Sequence, residues 1–355
     1  MTEFSQTIIR WYQSNKRDLP WRETTDPYQI WISEVILQQT QVTQGLSFYH
    51  RFINYFPDVA TLANANQQQV LKAWQGLGYY SRARHLHQAA KQIIQQFGGK
   101  IPASKEALLT LKGIGPYTAA AIASMAFNLP HAAIDGNAYR LLSRYFNIHT
   151  PIDTGKGKKQ FETLGNQLIS QNHPGDFNQA IMDIGATICL PTSPKCSACP
   201  LYPNCQAAHN GQILNLPVKS KKTKRTQRFF NYLIILTGQE VHLTLRQSGD
   251  IWQDMYQFPL IEDTRLLSIT QLKKRLHSPY ANQWIIKKDQ DIRHQLTHQE
   301  LHIRFFYITT KQKTSIPSVI NEQKIKSYNH QEVSLLPVPK IINDKLSHIF
   351  PKPST

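Results

Sequence analysis

The chain has 355 residues, enough for two substantial cores, and carries 40 Lys and Arg against 23 Asp and Glu, a formal net charge of +17. Its first residues, MTEFSQTIIRWYQSNKRD, lack the basic-then-apolar pattern of a signal peptide, and no apolar run approaches the ~18 residues of a spanning helix, which argues against secreted and membrane classes and for a cytoplasmic protein. The basic excess is spread over both halves, +6 in residues 1–213 and +11 in 214–355, as suits a chain that grips one polyanion with two domains.

Residues 1–210 read as a string of amphipathic helices punctuated at Asp26-Pro27, Phe56-Pro57, Gly98-Gly99, Gly113/Gly115 and Asp135-Gly136, an all-α half. The helix opening at Asp26 has Asp26 as N-cap, Pro27 at its first position and Gln29 placed to complete a capping box. It runs on through WISEVILQQT, with Tyr28, Trp31, Ile32, Val35 and Ile36 in one apolar stripe and Glu34 at the stripe's edge. Desolvation there disfavours the charged carboxylate and raises its pKa, the tuning of a general acid that works near neutrality. The plain alternative is a rim glutamate or one paired with an arginine.

Further along, LLTLKGIGPYTAAAIASMA (108–126) reads as a short helix, a Lys112–Gly115 turn and an Ala-rich helix with Pro116 in its first turn: a helix-hairpin-helix. Gly113 and Gly115 let backbone N–H groups approach a phosphate, and the second helix adds its positive end, so the motif grips DNA backbone without reading sequence. In HAAIDGNAYRLLSRYF, Asp135 sits in a glycine-containing turn ahead of another helix, where the dipole and unpaired N–H groups are expected to favour the ionised form, opposite to Glu34. The plain alternative is an N-cap and nothing more.

All four cysteines fall in Cys189-x6-Cys196-x2-Cys199-x5-Cys205, inside the Pro-rich stretch that includes PTSPKCSACPLYPNC, expected to be a loop. Disulfides are rare in a reduced cytosol. Tetrahedral zinc is the stronger rival to an iron–sulfur cluster, but zinc sites usually have two short pairs, and the uneven spacing here suits wrapping around a cubane. The run PVKSKKTKRTQR (217–228) then marks a basic linker, and from 229 the texture changes to β-rich runs such as FFNYLIILTG and LHIRFFYITT, so the second domain is α+β.

In order, LPWR (19–22), SEVILQQTQV (33–42), WQGLGYYSRARHLH (74–87), LKGIGPYTAAAI (111–122), IDGNAYR (134–140), FNQAIMDIGATIC (177–189) and the cysteine pattern resemble the helix-hairpin-helix DNA glycosylase superfamily with a [4Fe–4S] cluster, and within it the MutY family. The resemblance implies an all-α helix-hairpin-helix glycosylase domain with a [4Fe–4S] loop over 1–213, a linker over 214–228 and an α+β Nudix-like lesion-recognition domain over 229–350. It implies a monomer at the bacterial nucleoid that removes adenine paired with 8-oxoguanine or guanine in double-stranded DNA. Glu34 becomes the acid that protonates adenine N7 and later activates water, Asp135 the stabiliser of the sugar cation, and Tyr117 and Asn137 their supports. Arg17, Trp21, Arg22 and Gln179 match the pocket of the extruded adenine, and Gln39, Thr40, Leu77 and Tyr79 the residues that fill the vacated stack or touch the orphaned base. Cys189, Cys196, Cys199 and Cys205 become cluster ligands. Endonuclease III-like lyases place a Schiff-base lysine where this chain has Tyr117, so a monofunctional enzyme that uses water is expected.

In the C-terminal half, RQSGDIWQDMYQFP (246–259) resembles the corresponding stretch of that family's Nudix-like domain, but the carboxylate box of Nudix hydrolases is absent, so this domain is expected to recognise and not to hydrolyse. His294-Gln295-Leu296-Thr297-His298 lies where the family has its H-x-F-[ST]-H lesion-sensing loop, with Leu296 in place of the usual Phe. Leu296, Thr297 and His298 are therefore candidate lesion contacts.

Overall fold

The structure, a computed structural model, describes residues 2–220, 225–276, 284–309, 319–320 and 322–351. Lys221, Lys222 and Lys224 of the expected linker lie outside the described residues. The chain divides into two compact units, residues 1–65 with 85–222 and residues 66–84 with 223–355.

Among the described residues twelve α-helices precede the first strand: α1 (Glu3–Asn15), α2 (Pro27–Leu37), α3 (Val42–Tyr55), α4 (Val59–Asn64), α5 (Gln67–Ala73), α6 (Ser81–Phe97), α7 (Lys105–Leu109), α8 (Pro116–Phe127), α9 (Gly136–Tyr145), α10 (Gly155–Leu168), α11 (Pro174–Thr187) and α12 (Gln206–His209). The all-α reading of this half holds. One core of the first unit gathers Phe4, Ile8 and Ile9 of α1, Leu141 and Leu142 of α9, Phe161 of α10 and Phe177, Ile181 and Ile184 of α11. Helix α2 is buried nearly all round, with Tyr28, Ile30, Trp31, Ile32, Ser33, Glu34, Val35 and Ile36 all inside. Glu34 therefore lies on a central helix and not at the rim of a stripe. The start of α2 also differs from expectation: the Asp26 side chain accepts from Tyr28 N at 2.9 Å, but no capping box closes, because Gln29 Oε1 instead accepts from Tyr49 Oη at 3.2 Å. The helix stops at Leu37, and Gln39 adopts a left-handed backbone with φ 59°.

In the second unit, β1 (Thr226–Thr237), β2 (Glu240–Leu245), β3 (Tyr256–Gln257), β4 (Leu260–Asp263), α13 (Ile269–Arg275), β5 (Ile285–Lys288), β6 (Ile292–Gln295), β7 (Gln299–Thr309), β8 (Val319–Ile320), β9 (Gln323–Lys324), β10 (Lys326–Tyr328), α14 (His330–Leu335) and α15 (Lys340–Ile349) follow. The main sheet runs β10-β2-β1-β7-β5, with β1 and β7 parallel at its centre in a register that sets Phe230 against Ile303 and Tyr232 against Phe305. Alternation along β1 sends Phe230, Tyr232 and Ile234 to a core closed by Val333 of α14 and Ile342 and Leu346 of α15, and Leu233 and Ile235 to a second core closed by Leu272 of α13. A sheet covered on both faces explains why these strands read as nearly continuous apolar runs. The linker ends earlier than expected: β1 takes in Thr226–Arg228, and Arg228 is fixed by Asp250 and Glu262.

Candidate active site

Within the first unit, the end of α2, the loop after it, the start of α8, the turn before α9 and the middle of α11 enclose a cleft of about 900 Å³. It brings together ten of the residues singled out from sequence: Arg17, Trp21, Arg22, Glu34, Gln39, Thr40, Tyr117, Asp135, Asn137 and Gln179.

Glu34 is 6% exposed, and Tyr117, in the first turn of α8, donates to its Oε2 at 2.6 Å. Burial pushes the Glu34 carboxyl up to about 7, with the neighbouring Asp135 charge adding to the rise, while the Tyr117 hydrogen bond and Arg22 pull it down. Burial likewise drives the Tyr117 hydroxyl well above its ordinary range, so it stays a donor.

Asp135 is the N-cap of α9, accepting from Ala138 N at 2.7 Å, and its other oxygen accepts from Asn137 Nδ2 at 2.8 Å. The expected downward shift is not found. Burial raises the Asp135 carboxyl, and the donors of Ala138 and Asn137 with the Arg140 charge only moderate the rise. A buried carboxyl loses more hydration than a helix N-terminus returns, so both acids of the cleft are shifted upward.

Three supporting residues went unassigned from sequence. Asp183, four residues after Gln179 on α11 and fully buried, receives Arg17 Nε and Nη2 at 2.8 and 2.6 Å and both terminal nitrogens of Arg22. Its burial alone would raise the carboxyl, but Arg22 and Arg17 outweigh that and hold it below the ordinary range. The two arginines thus line the cleft with their guanidinium groups already engaged. Arg140, five residues after Asp135, donates through Nη2 to Asn137 Oδ1 at 2.8 Å and Gly185 O at 2.6 Å, and through Nε to Cys189 O at 2.7 Å. Arg144, 2% exposed, binds the carbonyls of Leu190, Pro191 and Leu216 and lies 3.4 Å from Cys189 Sγ. The arginines of IDGNAYRLLSRY were visible in sequence; apart from near neighbours such as Asn137, their partners lie 45 or more positions away and were not.

Cys189, Cys196, Cys199 and Cys205 line one small cavity with Arg144 and the apolar side chains of Leu141, Leu201 and Ile213. Among the described residues no three His, Cys, Asp or Glu side chains converge on a single ion. The donor set is soft sulfur on a loop wrapped around a space, with a guanidinium beside it to offset thiolate charge, and that chemistry fits a sulfur-ligated cluster.

The hairpin lies elsewhere in the first unit. Gly113 has φ 79° and a Cβ there would sit 2.6 Å from His85 Cβ, so the turn needs glycine for both conformation and packing. Gly115 has extended backbone and open space above its Cα, leaving room for a close approach to the N-terminus of α8.

The remaining candidates sit in the second unit. Tyr79, half exposed with φ 48°, shares a 2.5 Å hydroxyl–hydroxyl hydrogen bond with Thr297. Leu77 is buried. Leu296 packs against the core that holds Phe230 and Phe305, and it closes a tight turn through Leu296 N to Gln299 O at 2.8 Å. Thr297 and His298 are exposed. The 66–84 segment is secured here by Gln67 Nε2 to Asp254 Oδ2 at 2.7 Å, Lys72 Nζ to Leu336 O at 3.0 Å and Arg84 Nη1 to Gln253 O at 3.0 Å. No helix among the described residues is long and apolar enough to cross a membrane.

Comparison with known proteins follows the same division. Residues 32–169 match the family described as HhH-GPD superfamily base excision DNA repair protein, and residues 231–348 match the NUDIX domain. The adenine DNA glycosylase of Buchnera aphidicola subsp. Baizongia pistaciae is 36% identical over 344 residues, covering 95% of this chain and 94% of the relative. The adenine DNA glycosylase of Mus musculus is 40% identical over 229 residues, covering 61% of this chain and 44% of the relative. Among solved structures, a thermostable thymine-DNA glycosylase aligns with TM-score 0.54 at 31% identity over 58% of this chain and 95% of its own. An endonuclease III structure aligns with TM-score 0.51 at 19% identity over 59% of this chain and 95% of its own, a likeness of fold. A helical cleft with two acids, a hairpin, a cysteine loop and a Nudix-like domain, matched along nearly the full length of the Buchnera relatives, place the chain in the adenine DNA glycosylase family of helix-hairpin-helix base-excision repair enzymes, DNA N-glycosylases of the MutY type.

Proposed function

We propose that this enzyme hydrolyses the N-glycosidic bond of adenine paired with 8-oxoguanine or guanine, leaving an abasic site without cutting the strand. The observation that carries the reading is the Glu34 carboxyl, buried in the cleft, held by Tyr117 and raised to about 7, so that it carries a proton near neutrality. Glu34 gives that proton to adenine N7. The C1′–N9 bond then breaks with its electron pair going to the base, and positive charge develops on the sugar. Asp135, held by Ala138 and Asn137, faces the cation as a carboxylate and stabilises it. Water adds to C1′ and loses its proton to the Glu34 carboxylate, which restores the acid. Tyr117 occupies the position of the lyase lysine and has no amine to form a Schiff base, which supports the monofunctional reading.

Cys189, Cys196, Cys199 and Cys205 would hold a [4Fe–4S] cluster, which supplies a rigid, sulfur-anchored centre for the 189–205 loop. Gly113 and Gly115 present the hairpin to backbone phosphate, and Gln39, Thr40, Leu77 and Tyr79 serve the strand opposite the adenine. Thr297 and His298 contact the oxidised base, with Leu296 as the anchor of their turn; a Leu in place of Phe is supported here by its packing into the domain core. The Nudix-like domain recognises and does not hydrolyse, and the protein acts as a cytoplasmic, nucleoid-bound monomer.

Single-turnover cleavage of duplexes with 8-oxoG:A, G:A and T:A pairs, read with and without alkali for wild type and Glu34→Gln, tests this. Adenine loss from the first two, little from T:A, breaks only after alkali and no activity in the variant are expected. Strand cleavage without alkali, or equal rates on T:A, would overturn it.

A further inference from the structure

Tyr12 stands behind the cleft and does not line it. It is 3% exposed on α1, and its hydroxyl lies 2.5 Å from Gln179 Oε1. Two oxygens suit that separation; an amide nitrogen facing a hydroxyl would normally stand farther off. The Arg22 guanidinium packs over the Tyr12 ring at 5.5 Å, and burial pushes the hydroxyl up to about 12, so it remains a donor across the working pH range. Gln179 Nε2 makes no hydrogen bond among the described residues, and Gln179 lines the cleft.

A glutamine side chain has a donor end and an acceptor end related by a half-turn, so an unrestrained glutamine in a base pocket satisfies either kind of group. Here the acceptor end is occupied from behind by a hydroxyl with one proton to give. We propose that Tyr12 is a specificity-determining positioning residue: by donating to Gln179 Oε1 it fixes the amide with its N–H groups toward the extruded base, so that the cleft rewards an unprotonated ring nitrogen there. Adenine offers such nitrogens, and a base that presents an N–H at the same place leaves two donors opposed. The proposal rests on the reading of this cleft as the adenine site.

The test is a double-mutant cycle on single-turnover adenine excision, with Tyr12→Phe, Gln179→Leu and the pair. Phenylalanine keeps the ring, its burial and its contact with Arg22, so melting temperature serves as the control for packing. Tyr12→Phe is expected to slow excision about tenfold, roughly the 1.4 kcal/mol of one hydrogen bond, and to add nothing once Gln179 is leucine. An equal loss from Tyr12→Phe in both backgrounds would overturn the proposal, because a purely structural tyrosine acts regardless of the amide. Unchanged excision by Gln179→Leu alone would instead overturn the assignment of the cleft's base contact on which the proposal rests.

Discussion

The Tyr117 hydroxyl donates to Glu34 at 2.6 Å, and it lowers a carboxyl that burial raises. The pair therefore sets the pH range in which the acid holds its proton. Tyr117→Phe removes a side-chain hydrogen bond that opposes that rise, so the Glu34 pKa moves above about 7. The alkaline limb of the single-turnover pH profile should shift upward by about one unit, since a hydrogen bond to a charged group is worth roughly 1.5–3 kcal/mol before relaxation. A limb that stays in place would separate Glu34 from the titration that governs excision.

Glu34 also limits stability. Its folded pKa of about 7 exceeds the ordinary 4.5. Below pH 4.5 folded and unfolded chains both hold the proton; between 4.5 and 7 only the folded chain does, so stability falls as pH rises through this window and stays low above it. At roughly 1.4 kcal/mol per unit the loss approaches about 3 kcal/mol, an order-of-magnitude figure. Glu34→Gln should thus be inactive yet melt higher than wild type at pH 8, with the difference shrinking at pH 5. Equal melting temperatures at both pH values would refute a strongly raised Glu34.

Arg140 joins Asn137, and through it Asp135, to the carbonyl of Cys189. Arg140→Gln cannot span all of these acceptors. Excision should fall about tenfold or more, as for a misplaced supporting group, and the visible absorbance of the proposed cysteine-held cluster, once loaded, should bleach faster in chelator. Loss of activity with wild-type bleaching would confine Arg140 to the Asp135 side.

Gly185 on α11 faces Asn137, and a Cβ there would fall 2.5 Å from Asn137 Cβ. Gly185→Ala must push Asn137 away and with it one donor of Asp135. Overpacking of this kind costs about 1–3 kcal/mol, so a lower melting temperature together with slower excision is expected. A variant that melts lower but excises at the wild-type rate would show that Asn137 tolerates the shift.

Local chemistry determined a good deal on its own. Apolar spacing and helix starts specify the all-α half, strand texture specifies the β-rich half, and Asp135 ahead of α9 and glycine at 113 follow from capping and turn rules that act over a few residues. Ten of the residues that line the cleft were also legible, because all of them but Arg17 sit in short motifs. Burial and partner choice were not, since both depend on residues far apart in the chain. Helix α2 is enclosed on all sides, so Gln29 finds Tyr49 instead of its own N-cap. Asp135 loses more hydration than its helix returns and shifts upward, against the local expectation. Arg17 and Arg22 meet Asp183 from more than 160 positions away, and Tyr12 meets Gln179 across 167. Segment 66–84 packs with the sheet-bearing unit, although its helical sequence gives no sign of it. Periodicity reports which face of an element is apolar; only the tertiary structure decides what covers that face, and hence the charge each buried acid carries.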